Sequence, residues 1–195
     1  MPARPLVLAS TSPYRRQLLE RLRLPFEVQA PGVDEAPSPG ESPRDTALRL
    51  ALAKADAVAS HRPDAVVIGS DQVADLDGLG LGKPGDHAGA TAQLRAMSGR
   101  VVVFQTGVAV VCRASGYREA ALVPVSVRFR ALDDAEIERY LRLEQPYDCA
   151  GSAKAEALGI ALCEAIDSDD PTALIGLPLI RTCALLRSAG LDPLR

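Results

Sequence analysis

The chain has 195 residues, 47% apolar and 24% charged, which is ample for one ordinary globular core. With 22 basic against 25 acidic residues the net charge is -3, which argues against a duplex-DNA coat or a polybasic membrane arm. Three Phe, four Tyr and no Trp are a poor stock for stacking on single-stranded nucleic acid, and two His cannot build a multi-His zinc site.

In chain order, the apolar run Leu6-Val7-Leu8-Ala9 reads as a strand meeting Ser10-Thr11-Ser12-Pro13. Ser12 can cap a helix and Pro13 suits its first position, so a helix is expected from there, ending near Pro25. Phe26 to Ala30 reads as a second strand, and Pro31 to Pro43 as a polar loop. Ser42-Pro43-Arg44-Asp45 resembles a capping box, opening a helix with Leu48, Ala51, Leu52, Ala55 and Ala59 at helical spacing. Lys54 lies at the border of that stripe, where its stem can pack and its ammonium can reach a cleft.

Ala65 to Gly69 is continuously apolar, as in a strand buried on both faces, and delivers Ser70-Asp71-Gln72 at its end. Asp77-Gly78 predicts a tight turn, followed by Gly82-Lys83-Pro84. A helix is expected from near Asp86 to Gly99. Val101 to Val111 and Leu122 to Phe129 predict a hairpin through Ser115-Gly116. Asp133-Asp134-Ala135-Glu136 starts a further helix. The last helical region runs from Asp170 to Ser188, interrupted near Gly176 or Pro178. The fold class expected is α/β with a mixed central sheet, as a single domain over residues 1–195.

Cys112, Cys149, Cys163 and Cys183 are spread without a C-x-x-C pair, which suggests reduced, mostly core thiols. The run from Met1 to Ala9 is too short for a signal peptide, and no stretch approaches the ~20 apolar residues of a membrane span. The expected setting is cytoplasmic, with neither nucleic acid nor membrane as partner.

Three constellations carry possible chemistry. Ser10-Thr11-Ser12 at a helix start, with Arg15 and Arg16 behind it, offers amides and guanidiniums to an anion, or is simply a capped helix with a basic surface. Asp71, at a strand end, can hold Mg²⁺ or accept a proton from water, or bond loop amides; Asp34-Glu35 can bring a second carboxylate to the same rim. Lys54 and Lys83 are two of only three lysines, and a compact ammonium suits a phosphate oxygen. Together they supply four cations and two carboxylates, the complement of a metal-bound triphosphate.

These residues stand in ordered motifs: Leu-Ala-Ser-Thr-Ser-Pro-Tyr-Arg-Arg (8–16), Val-Asp-Glu (33–35), Ala-Leu-Ala-Lys-Ala (51–55), Gly-Ser-Asp-Gln-Val (69–73), Gly-Lys-Pro (82–84), Cys-Ala-Gly-Ser (149–152) and Gly-Leu-Pro-Leu (176–179). In this the chain resembles the Maf family of nucleoside-triphosphate pyrophosphatases from Leu6 to about Leu191. The resemblance implies an elongated sheet flanked by helices, with two lobes and an active-site cleft between them. It implies hydrolysis of the α–β phosphoanhydride to a monophosphate and pyrophosphate, with a divalent cation (Mg²⁺, Mn²⁺ or Co²⁺). Asp71 would then be the catalytic acid that activates water and touches the metal. Glu35 would be a metal ligand or its support. Ser10, Arg15, Lys54 and Lys83 would hold the triphosphate, helped by Arg16. Tyr14, Gln72 and Glu156 resemble the branch acting on 7-methyl-GTP more than the branch acting on dTTP and UTP, although that branch typically carries Trp at the position of Tyr14. A carboxylate at Glu156 can accept from guanine N1–H and N2–H, and Tyr14 can stack on a positively charged base. The alternatives are a dTTP/UTP or broad-range pyrophosphatase, and a non-catalytic nucleotide-binding regulator of cell division. A homodimer is also implied by the resemblance alone.

Overall fold

Alternate residues of the first strand, β1 (Leu6–Ala9), enter two different cores: Leu6 and Leu8 pack on one face, Val7 and Ala9 on the other. The computed structural model describes residues 4–195; residues 1–3, where the run read against a signal peptide begins, lie outside them. β1 pairs in parallel with both β2 (Glu27–Val28) and β3 (Val66–Leu76). β3 pairs antiparallel with β5 (Val101–Cys112) and with the short β4 (Leu79–Leu81). β5 continues the sheet to β6 (Tyr117–Phe129), and β6 to β7 (Cys163–Asp167). The result is a mixed seven-stranded sheet, in the order β2-β1-β3-β5-β6-β7 with β4 beside β3.

Among the described residues five helices flank it. On one face α1 (Pro13–Glu20) and α5 (Leu179–Ser188) bury Leu18, Leu19, Leu185 and Leu186 against Leu8, Ile68 and Val110. On the other, α2 (Pro43–His61) lays Ala51, Ala55 and Ala59 on Val7, Val67 and Ala109. The far halves of β3, β5 and β6 form a separate core with α3 (His87–Met97) and α4 (Asp134–Glu144), centred on Phe104, Phe129 and Leu141. The long strands thus run through two lobes, one with an apolar core on each face of the sheet and one built on the third core.

Two glycines set how closely α2 approaches. A Cβ at Gly69 would lie 2.2 Å from the Ala51 carbonyl oxygen, and one at Gly107 2.4 Å from that of Ala47. Only a strand without side chains there lets the helix backbone lie so near, which brings Lys54 to the sheet.

Several expectations change in detail. The second strand shrinks to two exposed residues because it is an edge paired only with β1, and Pro31 soon follows. β3 does not end at Ser70: it continues to Leu76, and what ends there is its parallel partner, since the last β1 pair is Ala9 with Gly69. At α2 the Ser42 hydroxyl accepts from the Asp45 N–H but also donates to the Asp45 carboxylate. Asp, one methylene shorter than Glu, closes back on the cap hydroxyl instead of the Ser42 amide; the full capping box forms at Asp133 and Glu136. The β7 edge, with four of its five residues exposed, has no alternating pattern by which to read it. Of the cysteines, Cys112 is buried and the other three are partly exposed, all as free thiols.

Candidate functional site

Where β1 stops, β3 has lost its parallel neighbour, and a cleft of about 930 Å³ opens beside Asp71. It is walled by the β1–α1 junction, the loop after β2, α2, the turn ending at Lys83, and the segments around residues 148–156 and 174–176. Side chains alternate along β3, so Asp71 faces α2 while Ser70 and Gln72 face the opposite side. The Ser70 hydroxyl is buried between the carbonyls of Gly107 and Gly176.

At the centre is Lys54, 4% exposed. Its Nζ lies 2.6 Å from Asp71 Oδ1 and 2.6 Å from Glu35 Oε1, so one ammonium joins a carboxylate from the sheet to one from a loop. Burial pushes the Glu35 carboxyl upward, yet Lys54, with Lys83 and Arg15 beyond it, holds it below the usual carboxylate range. Arg15 donates from Nε to the Gly176 carbonyl at 2.8 Å. Burial draws its guanidinium down from its ordinary pKa, against the opposing pull of Asp71 and Glu35. Lys83, exposed on its turn, has no ion-pair partner among the described residues. Ser10 is 3% exposed, and its hydroxyl accepts from the Ser12 amide at the start of α1.

The loop carrying Glu35 is tied down by a residue that sequence reasoning missed. Arg49 of α2 grips Glu41 with two bonds of 2.6 and 2.7 Å and donates to the Ala36 carbonyl at 3.0 Å. Glu41 also accepts from the Ser38 amide and the Thr46 hydroxyl. Arg49 foremost, then Ser38, draws the Glu41 carboxyl down to about 2. An Arg nearly two helical turns past the end of a Pro-rich loop was the available signal.

A second charged group surrounds Tyr14. Its hydroxyl donates to Asp148 at 3.4 Å, and Lys154 stands 5.8 Å from the ring centroid and 3.7 Å from Asp148. Burial raises the Glu156 carboxyl; its own backbone bond and Lys154 oppose this, while Glu144 and Asp148 add to it. Burial, with Asp148 next to it, pushes the Cys149 thiol up to about 12, which makes it a poor nucleophile. Asp148 and Lys154 were also missed. Lys154 is the third of the three lysines, and their scarcity was the clue.

The cleft therefore gathers Ser10, Tyr14, Arg15, Glu35, Lys54, Asp71, Gln72, Lys83 and Glu156. It does not gather Arg16, which points out of α1 at 63% exposure and pairs with Glu20, because neighbouring helix residues diverge by about 100°. Gln72 lines the cleft, but its amide nitrogen already donates to Thr106, Ala173 and Leu174, leaving its carbonyl oxygen for other contacts.

Fold and site define an α/β protein whose cleft joins cations to paired carboxylates, a distribution suited to a phosphorylated ligand. The chain belongs to the Maf-like protein family, whose profile matches residues 5–189. It is 70% identical to a 7-methyl-GTP pyrophosphatase of Polaromonas sp. over 96% of this chain and 86% of the relative. It is 63% identical to a 7-methyl-GTP pyrophosphatase of Albidiferax ferrireducens, over 98% and 96% of the two chains. A third, from Ralstonia nicotianae, is 58% identical over 94% and 95%. Among the described residues no helix is long and apolar enough to cross a membrane.

Proposed function

We propose that this protein hydrolyses the α–β phosphoanhydride of a nucleoside triphosphate, 7-methyl-GTP foremost, releasing 7-methyl-GMP and pyrophosphate. The observation that carries the reading is the Glu35–Lys54–Asp71 constellation just past the end of β1, ringed by Arg15 and Lys83. The names of the relatives support the substrate.

Arg15, Lys83 and Ser10 hold the phosphate chain, and Lys54 adds positive charge beside the reacting phosphoryl. Asp71 engages Lys54 through one oxygen, which orients the carboxylate. Its other oxygen positions a water and takes its proton as the water attacks the α-phosphorus. The Pα–O bond to pyrophosphate breaks, and the cations stabilise the departing charge. Tyr14 stacks on the base, while Glu156 accepts from its N1–H and N2–H.

The donor set also suits a hard divalent cation, for which one or two carboxylates plus substrate phosphates are a common complement. Glu35 and Asp71 each keep an oxygen that Lys54 does not occupy. Mg²⁺, Mn²⁺ or Co²⁺ held there would neutralise charge on the phosphoryl oxygens. No His, Cys, Asp or Glu cluster of three or more is placed to hold a metal by itself among the described residues, so substrate oxygens would complete the shell.

The test is Asp71→Asn. Turnover of 7-methyl-GTP should fall by on the order of 10²-fold or more while nucleotide binding is retained. An Asn variant as active as wild type overturns the role of Asp71. Binding without turnover by the wild-type protein with all three cations favours a nucleotide-binding regulator instead.

A further inference from the structure

Hydrogen bonds to Glu156 would reach an N1–H and N2–H edge that guanine and 7-methylguanine share, and Tyr14 would stack on either ring, more strongly on the cationic one. What separates them is the methyl group and the positive charge it places on the base. The cleft has a second charged group suited to sensing that charge. Asp148 lines the cleft with its side chain 58% exposed and accepts the Tyr14 hydroxyl. Lys154, 14% exposed, stands over the Tyr14 ring and beside both Asp148 and Glu144. Asp148 and Glu156 line the cleft; Lys154 and Glu144 are not among its lining residues but stand close enough to act on Glu156.

The two charged groups of the cleft act on different side chains. Lys54, Lys83 and Arg15 hold down Glu35, whereas Lys154, Glu144 and Asp148 act on Glu156. Asp71 and Glu35 are outnumbered by Arg15, Lys54 and Lys83, which suits phosphates. Around Tyr14 the balance reverses, which suits a cationic ring.

We propose that Asp148 and Lys154 set, with opposite signs, how strongly the cleft prefers a positively charged methylated purine over its neutral parent. The proposal rests on the guanine-nucleotide reading above. Asp148 favours the charged base, and Lys154 moderates that preference while steadying the Tyr14 ring. For a unit charge taken at roughly 7 Å from a bound base, at an effective dielectric of about 40–80, Coulomb's law gives a change in preference of about three- to sevenfold.

The experiment compares Asp148→Asn and Lys154→Gln with wild type. It measures dissociation constants for 7-methyl-GMP and GMP, and kcat/KM for 7-methyl-GTP and GTP. Asp148→Asn should lower the methylated-to-unmethylated ratio about three- to sevenfold, and Lys154→Gln should raise it by a similar factor. Added salt should shrink the wild-type ratio. Loss of packing would weaken both ligands together and leave the ratio in place, so the opposite movements identify a charge effect. Ratios within twofold of wild type in both variants, or moving the same way, overturn the proposal. So does a wild-type protein that binds the two monophosphates equally. If wild type prefers 7-methyl-GMP yet hydrolyses neither triphosphate, the catalytic reading fails and the charge selectivity stands.

Discussion

Replacing Gly69 by Ala tests whether the close approach of α2 to the sheet builds the site. The new methyl would lie 2.2 Å from the Ala51 carbonyl oxygen, 2.7 Å from the Ala55 nitrogen and 3.0 Å from the Ala55 Cβ. These obstacles are mostly helix backbone, so no rotamer change relieves them and α2 must retreat by roughly 1 Å. Overpacking of this kind costs about 3 kcal/mol, offset by less than about 1 kcal/mol from the stiffer unfolded chain. In a chain of this length that lowers the melting temperature by about 5–10 °C. Lys54 moves with the helix and its 2.6 Å contacts to Asp71 and Glu35 open. A displacement on that scale costs on the order of 10²-fold in turnover. The assay pairs thermal unfolding with pyrophosphate release. Gly82→Ala is the stability control, since a Cβ there meets nothing within 4 Å, and it should stay within about 0.5 kcal/mol. A Gly69→Ala protein that melts within about 2 °C of wild type with full turnover would show that the close approach of α2 does not build the site.

Lys54→Met removes the cation between Asp71 and Glu35, leaving a buried carboxylate without its partner; a loss of about 1–3 kcal/mol is expected near neutrality, tempered by the exposure of Glu35. Because the folded Glu35 pKa is depressed, its share is present above its unfolded pKa and disappears as pH falls through the lowered folded value; the gap between variant and wild type in urea unfolding should therefore narrow on acidification below about pH 4.5. Asp170→Ala deletes a 3% exposed carboxylate that accepts from the Ile180 and Arg181 amides at the start of α5 and from Thr172, and should destabilise by about 2–3 kcal/mol in urea unfolding; less than about 0.5 kcal/mol would deny the cap. Arg49→Gln releases the loop over residues 31–42, so limited proteolysis should cut there faster in a folded protein and KM should rise; unchanged cleavage would show the loop is held by other means. Since Glu41 titrates at about 2, wild type should retain loop protection down to about pH 3.

Local rules sufficed where the physics was local. Ser12-Pro13, Asp86 and Asp133 mark helix starts because a short polar side chain satisfies the first free amides, and each caps its helix. The apolar run at Ala65–Gly69 revealed a strand buried on both faces. Burial of Lys54 was less legible, because it depends on Gly69 and Gly107, far apart in sequence but neighbours under the same helix. Arg16 adjoins Arg15 in sequence and is expected only to help it; helix geometry sends one into the cleft and the other to Glu20. Asp148 and Lys154 escaped because their meeting with Tyr14 spans about 134 residues of chain and follows no motif spacing.

The most direct test of the account is product analysis with 7-methyl-GTP, GTP, dTTP and UTP in the presence of Mg²⁺, Mn²⁺ or Co²⁺, for wild type and Asp71→Asn. Monophosphate and pyrophosphate should be released, fastest from 7-methyl-GTP, and this release should be lost in the variant. Preferred hydrolysis of dTTP or UTP, or release of orthophosphate in place of pyrophosphate, would contradict the account.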